Sequence, residues 1–282
     1  DGGGKRIRPL VTLLAAKLFS SEVAAAIPVA AAMELIHMAT LVHDDIIDRA
    51  HTRRGRPTVN HLWGNQLAVL TGDALLARAL SMLVDAKDAR IVKVVSCMIY
   101  NMCEGEITQN ATLNDANQTE ADYFDRIEKK TALFFSTCCQ AGALVVGAAA
   151  DAVTAIGEYG RLVGLAFQVI DDLLDFTADP KTLGKPVGSD LAAGILTLPV
   201  IHVLHHTEYG SDLKSQMAGR ALGKEAMAEL LEIIQANGAL DYAWSVAGSL
   251  VRQAKHVLPA SSDSAVRESL LTLADMVVSR SF

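Results

Sequence analysis

"LVHDDIIDRAHTRRGRP", residues 41–57, sets Asp44, Asp45 and Asp48 close together and follows them with Arg49, Arg53, Arg54 and Arg56. The residues just ahead, "ELIHMATLV" (34–42), are mostly apolar. On a helix, carboxylates at i and i+4 share a face, about 6 Å apart. Like charges gathered beside an apolar stretch need a cation or a solvated face. The spacing recurs in "FQVIDDLLDF" (167–176), with Asp171, Asp172 and Asp175, and again a basic Gly/Pro stretch follows, "TADPKTLGKPVGSD" (177–190). A single copy reads equally well as a solvated helix end. Two copies, each closing an apolar helix and each followed by a basic loop, point to metal. Mg2+ is a hard ion that takes oxygen ligands, commonly one or two carboxylates with water and phosphate. Arg forks match phosphate oxygens and Lys adds a mobile charge. Carboxylates attract metal, and metal with base attracts diphosphate.

The rest of the chain frames this pair of motifs. Hydrophobic residues make up 51% of the 282 and aromatics only 5%, so the apolar content is largely Ala, Leu and Val, and Ala and Leu favour helix. Only Pro57 falls between Pro28 and Pro180, and no run alternates apolar and polar residues as a half-buried strand would. The chain reads as all-α. Helical blocks are expected near 7–20, 23–49, 61–85, 88–111, 119–150, 152–178, 194–206, 224–236, 239–257 and 262–279, with "RRGRPT", "NDANQT" and "ADPKTLGKPVGSD" as loops. A net charge of −7 argues against a nucleic-acid partner. Cys97, Cys103, Cys138 and Cys139 form neither a metal-type pair nor a disulfide framework, which fits a reducing cytoplasm. Thr131 to Ala150 carries no charge and is long enough to raise the question of a membrane span. Its Ser136, Thr137, Gln140 and two glycines favour a buried central helix. The opening "DGGGKRIRP" lacks a Met and reads as the middle of a segment, so further sequence is expected upstream.

In order along the chain, "GGGKRIRP", "HDDIIDRAHTRRGRPT", "GDALLARAL", "EGEITQ", "EKKTALFF", "FQVIDDLLDF" and "GKPVGSDL" resemble the motifs of the trans-isoprenyl (polyprenyl) diphosphate synthases. Within that family the chain looks most like the long-chain, heptaprenyl type, including its catalytic subunit. The resemblance covers nearly all of residues 1–282. It implies one all-α domain, a bundle of about ten or more helices around a central apolar cavity, of the isoprenoid synthase type. The implied reaction is condensation of isopentenyl diphosphate with an allylic diphosphate such as farnesyl diphosphate, giving an all-trans polyprenyl diphosphate of the kind used for quinone side chains.

The family's roles carry over where residues match. Lys5, Arg8 and His37 would hold isopentenyl diphosphate, with Arg54 helping. Arg53 would hold the allylic diphosphate, with Lys130 and Lys185 beyond it. Asp44, Asp48 and Asp171 would be the main Mg2+ ligands, with Asp45, Asp172 and Asp175 as further ligands or acting through water. Three Mg2+ per active site are expected with substrate bound. Thr131 and Gln168 would lie beside the reacting carbon. His37 alone would read as a core histidine, and His43 has no matching role. The family implies a homodimer, or a heterodimer with a small subunit, in the cytoplasm, with at most peripheral membrane contact for product release.

One position departs from the pattern. Many members read "GKxTLP" where this chain has "AAGILTLPV", so Ile195 stands where the family pattern has a Lys, which puts in question one phosphate contact that the resemblance implies. Some long-chain members share that change. Ala39 and Thr40, five and four residues before Asp44, are small where short-chain enzymes often place an aromatic floor. Met33, eleven residues back, is a candidate deeper stop. These residues favour a hexaprenyl to decaprenyl product, with a farnesyl or geranylgeranyl product as the alternative. A class I terpene cyclase fits less well, because it needs no counterpart of Lys5, Arg8 and His37. A non-catalytic partner subunit would be expected to lose one aspartate motif, and both are intact.

Overall fold

The computed structural model describes residues 6–177, 187–217, 223–260 and 263–279. Lys5 and Lys185 lie outside the described residues. The fold is all-α, as the composition requires, apart from one very short hairpin. The chain groups into two compact units.

The first unit comprises residues 1–97, 137–157 and 259–270. Its helices α1 (Ile7–Phe19) and α2 (Ala26–Ile47) precede the strands β1 (Thr52–Arg53) and β2 (Arg56–Pro57), followed by α3 (Val59–Trp63) and α4 (Asn65–Asp85). Helix α2 packs on α1 and α4 and buries Val29, Ala32, Met33, Ile36 and Ala39. Close approach of α2 and α4 depends on Gly72, where an added Cβ would stand 2.2 Å from Nε2 of His43. That accounts for His43, whose Nε2 also lies 3.4 Å from Asp73 Oδ1. The stretch expected as a plain loop, "RRGRPT", turns out to be a hairpin in which Arg53 pairs with Arg56 and Thr52 with Pro57. Its turn residues Arg54 and Gly55 both have positive φ, 50° and 72°, as a two-residue hairpin turn of the I′ kind needs.

The second unit comprises residues 98–136, 158–258 and 271–282. The chain enters it within α5 (Ala89–Ala111) and continues through α6 (Glu120–Ile127). Helix α6 begins with a capping box, Thr119 and Asp122 each bonding the other's backbone N–H. A single π-helical turn, Glu128–Ala132, then leads into α7 (Leu133–Val145), whose residues from 137 onward belong to the first unit. Helix α8 (Ala150–Thr177) carries the second aspartate motif near its end and buries Val169, Ile170, Leu173 and Leu174. After it come α9 (Ser189–Ala192), α10 (Leu198–His206), α11 (Gly210–Met217), α12 (Lys224–Ala236), α13 (Ala239–Val257) and α14 (Ser264–Val278). Helix α10 contacts α6, α11, α12 and α13 and is buried at Leu198, Val200, Ile201, Val203 and Leu204.

The expected segment 131–150 divides among the π turn, α7, the connection 146–149 and the first residue of α8, and Phe134, Phe135, Cys138 and Cys139 within it are buried. By length and composition α2 and α4 are the helices that reach membrane-span criteria among the described residues. The two pack against each other in the first unit, although 39% of the apolar window of α2 and 22% of that of α4 is buried.

Candidate active site

The first aspartate motif closes α2. A helix C-terminus carries partial negative charge, which disfavours acidic residues there. Asp44 and Asp45 nevertheless occupy the last turn, Asp48 is the C-cap, and no basic residue lies in that turn. The carboxylates differ in environment. Asp45 is buried, and its Oδ1 accepts a hydrogen bond from Arg53 Nε at 2.8 Å. Asp44 is half-buried and Asp48 is exposed.

The same unit gathers positive charge. Arg8 Nη1 on α1 lies 3.2 Å from Nε2 of His37 on α2. Burial first, then the charges of Arg8, Arg54 and Arg53, push the His37 pKa down to about 3. His37 is therefore neutral at pH 7 beside at least three guanidinium groups. Such a concentration of cations fits a polyanion.

The second motif sits in the last two turns of α8, again without a basic residue in the last turn. Asp171 is exposed, while Asp172 and Asp175 are buried. Asp172 Oδ2 accepts from the Tyr123 hydroxyl at 2.7 Å, and Oδ1 accepts from Gln168 Nε2 at 2.8 Å. Burial pushes the Asp172 pKa up to about 7, against the pull of those two donors and with the help of Asp190 and Asp171. Asp175 accepts from Ser189 Oγ at 2.6 Å and from the Asp190 backbone N–H at 3.1 Å. Its role here is to pin the start of α9.

Gln168 also links to the π turn, because Thr131 Oγ1 donates to its Oε1 at 2.7 Å. A π turn inserts an extra residue into a helix and re-aims side chains, and such turns are frequent at functional sites. Here it displays Lys129, Lys130 and Thr131. Lys129 pairs with Glu104 at 3.1 Å and Asp125 at 2.9 Å, and Lys130 pairs with Glu106. Between those glutamates, Gly105 lets α5 approach, since a Cβ there would stand 2.9 Å from Lys129 Cβ. Gly164 of α8 does the same on another side of the turn, 2.6 Å from Ala132 Cα.

The structure thus brings Arg8, His37 and Arg53 with Asp44, Asp45 and Asp48 into the first unit, and Lys130, Thr131 and Gln168 with Asp171, Asp172 and Asp175 into the second. Ala39 and Met33 are buried on α2, and half-buried Thr40 bonds back to the His37 carbonyl at 2.9 Å. Ile195 is half-buried and its N–H bonds to the Asp190 carbonyl at 2.9 Å. Sequence reasoning missed Tyr123, Glu104, Gly105, Glu106 and Ser189. The glutamate–glycine–glutamate and double-lysine runs were visible, but their pairing crosses from α5 to the π turn.

Asp44, Asp48 and Asp171 suit a hard divalent cation. They offer only oxygen, reach solvent that can supply retained waters, and crowd negative charge at helix ends already negative.

The polyprenyl synthetase family model matches residues 1–234. The heptaprenyl diphosphate synthase component 2 of Geobacillus stearothermophilus is 39% identical over 286 residues, spanning 100% of this chain and 88% of the relative. A short chain isoprenyl diphosphate synthase of Methanothermobacter thermautotrophicus is likewise 39% identical, over 285 residues, spanning 99% of this chain and 87% of the relative. The crystal structure of heptaprenyl diphosphate synthase from Staphylococcus aureus superposes with a TM-score of 0.93 at 35% identity, covering 100% of this chain and 89% of that one.

Proposed function

The chain belongs to the polyprenyl synthetase family, and on that premise we propose that it is a long-chain enzyme whose aspartate motifs bind Mg2+ for an allylic diphosphate substrate. It is a trans-prenyltransferase, condensing isopentenyl units onto an allylic diphosphate. The observation that carries the site assignment is the division of each motif into accessible and buried carboxylates. Asp44, Asp48 and Asp171 hold Mg2+, on which the family depends, and three ions accompany the bound substrates. Asp45, Asp172 and Asp175 orient the surrounding groups instead, through Arg53, Gln168 with Tyr123, and Ser189.

Asp44, Asp48 and Asp171 would hold the Mg2+, which would supply positive charge to the departing diphosphate. The chain's own residues do the rest. Arg53, Lys130 and Lys185 hold the allylic diphosphate while its C–O bond breaks, stabilising the charge that develops there. Arg8, His37 and Lys5, with Arg54, hold the second diphosphate so that the isopentenyl double bond meets the allylic carbon. Thr131 has committed its proton to Gln168 Oε1, so its remaining lone pairs can face positive charge. Gln168 is fixed in turn by Asp172. Thr131 and Gln168 therefore present oxygen dipoles to the allylic cation without offering it a mobile nucleophile. The proton lost when the new alkene forms goes to the released diphosphate, which needs no dedicated protein base.

Small residues at Ala39 and Thr40 and a heptaprenyl-type resemblance favour a hexaprenyl to decaprenyl product. The alternative is a shorter product, and the short-chain relative is as similar as the heptaprenyl one. Leu62, Trp63, Leu67, Leu70 and Val84 are exposed along α3 and α4, an apolar face suited to a partner chain, a second copy or a small subunit. A cytoplasmic enzyme with only peripheral membrane contact accords with this reading. Purified protein incubated with Mg2+, farnesyl diphosphate and labelled isopentenyl diphosphate tests it. Products of six to ten units are expected, whereas arrest at four units would establish the shorter-chain alternative.

A further inference from the structure

Glu120, His202 and His206 carry no part of the chemistry above. Glu120 opens α6, and the two histidines stand at i and i+4 on one face of α10. One ligand atom from each of the three lies within 4.8 Å of the others. Tyr242 of α13 completes the group. Its hydroxyl donates to Glu120 Oε2 at 2.8 Å, and its ring stacks on His202 with centroids 4.3 Å apart. The His202 and His206 rings are 5.0 Å apart.

Two atoms in this cluster have no hydrogen-bond partner among the described residues although both are buried: Glu120 Oε1 and His202 Nδ1. A buried acceptor or ring nitrogen left this way costs free energy, so native proteins usually supply a partner. Tyr242 has already satisfied the other Glu120 oxygen and thereby fixed the carboxylate's orientation. A carboxylate held by an outer hydrogen bond beside two imidazoles is the arrangement that metal sites use.

We propose that Glu120, His202 and His206 form a transition-metal site that takes Zn2+, tying the start of α6 to α10. Two nitrogens and one oxygen suit Zn2+ rather than Mg2+, which prefers oxygen and sheds water reluctantly. Bonds of about 2.0–2.2 Å in a tetrahedron place ligand atoms roughly 3.3 Å apart. Closing the spacing, within 4.8 Å here, to that value requires these side chains to turn toward a common centre. Three protein ligands leave a fourth position for water, and exposed His206 gives the ion its way in. The bracing matters because α6 runs directly into the π turn that displays Lys130 and Thr131.

The neighbouring His205 supplies an internal control. Its Nε2 is engaged with the Gln118 carbonyl at 2.9 Å and its Nδ1 lies 3.3 Å from Lys214 Nζ. The test uses the full chain, stripped with a chelator and dialysed against Zn2+ under excess Mg2+ to saturate the aspartate motifs. Metal content, the visible spectrum after Co2+ substitution and thermal melts are read. One Zn2+ per chain is expected, with tetrahedral Co2+ bands and a melting temperature that rises with Zn2+. His206→Ala changes an exposed position, so the fold should tolerate it. It should weaken Zn2+ binding by more than the roughly 10- to 100-fold typical of losing a supporting contact. His202→Ala should do likewise, and His205→Ala should bind normally. Absence of bound Zn2+, displacement by Mg2+, or equal binding in His206→Ala would overturn the proposal.

Discussion

Thr131 Oγ1 donates to Gln168 Oε1 at 2.7 Å, and the other end of the same amide donates to Asp172. A hydroxyl on the π turn is thereby wired to the second aspartate motif through one side chain. Thr131→Val keeps the shape and deletes the donor and its lone pairs. Turnover should fall on the order of 10²-fold, the scale of a lost preorganised dipole, with little change in either KM. Gln168→Leu should act in the same direction and also loosen Asp172. Unchanged kcat in both variants would show that these dipoles do not face the reacting carbon.

The two classes of aspartate should separate by experiment. Asp44→Ala and Asp171→Ala should cut turnover by several orders of magnitude and weaken Mg2+ dependence, with the helical circular dichroism intact. Asp175→Ala should chiefly destabilise, by about 1–3 kcal/mol, because the half-buried Ser189 hydroxyl and Asp190 N–H lose their acceptor. Near-normal Mg2+-dependent turnover in Asp44→Ala would refute the metal assignment.

His37 predicts a pH effect with a definite sign. Its folded pKa of about 3 lies below the ordinary 6.5. Above 6.5 it is neutral in both folded and unfolded chains and contributes no slope. Below 6.5 the unfolded chain takes up a proton that the folded one resists, so stability falls as pH drops from 6.5 toward 3. Denaturant midpoints should show this acid loss, and His37→Gln should reduce it. Binding of a diphosphate anion should raise the His37 pKa and draw in a proton. Calorimetry at pH 6 in buffers of different ionisation enthalpy should detect more proton uptake in the native protein than in His37→Gln.

Ala39 is 2% exposed, so its neighbourhood is packed or sealed. Ala39→Phe should shorten the product while sparing the first condensation, since the aspartates remain about a turn and a half away. Overpacking should cost about 1–3 kcal/mol if the methyl abuts other side chains, and little if it borders a channel. Product analysis paired with a thermal melt distinguishes the two. A folded variant with unchanged product length would remove Ala39 from the chain-length question.

Gly105→Ala places a methyl 2.9 Å from Lys129 Cβ. The π turn must yield, and a loss of about 1–3 kcal/mol is expected together with slower turnover, because Lys130 and Thr131 move with it. Full activity with an unchanged melting temperature would mean that α5 has room to retreat.

The sequence by itself determined the helical class, because Ala- and Leu-rich segments with few prolines have little alternative. Blocks such as 239–257 and 224–236 coincide with α13 and α12 for that reason. It also placed Asp44 with Asp48, and Asp171 with Asp175, on common helix faces, since the i, i+4 spacing is a local property of a helix. Boundaries failed where local signals were weak or divided. The hairpin at 52–57 depends on positive φ at Arg54 as well as Gly55, and α11 is too short for a clear apolar period. Only the tertiary structure decided how the six aspartates differ. Asp45 finds Arg53, Asp172 finds Tyr123 forty-nine residues earlier, and Asp175 finds Ser189, whereas Asp44, Asp48 and Asp171 keep contact with solvent. The same holds for Glu120 beside His202 and His206. Spacing along a chain fixes which groups share a helix face, but burial and partners come from other helices, and those alone separate carboxylates that the sequence writes identically.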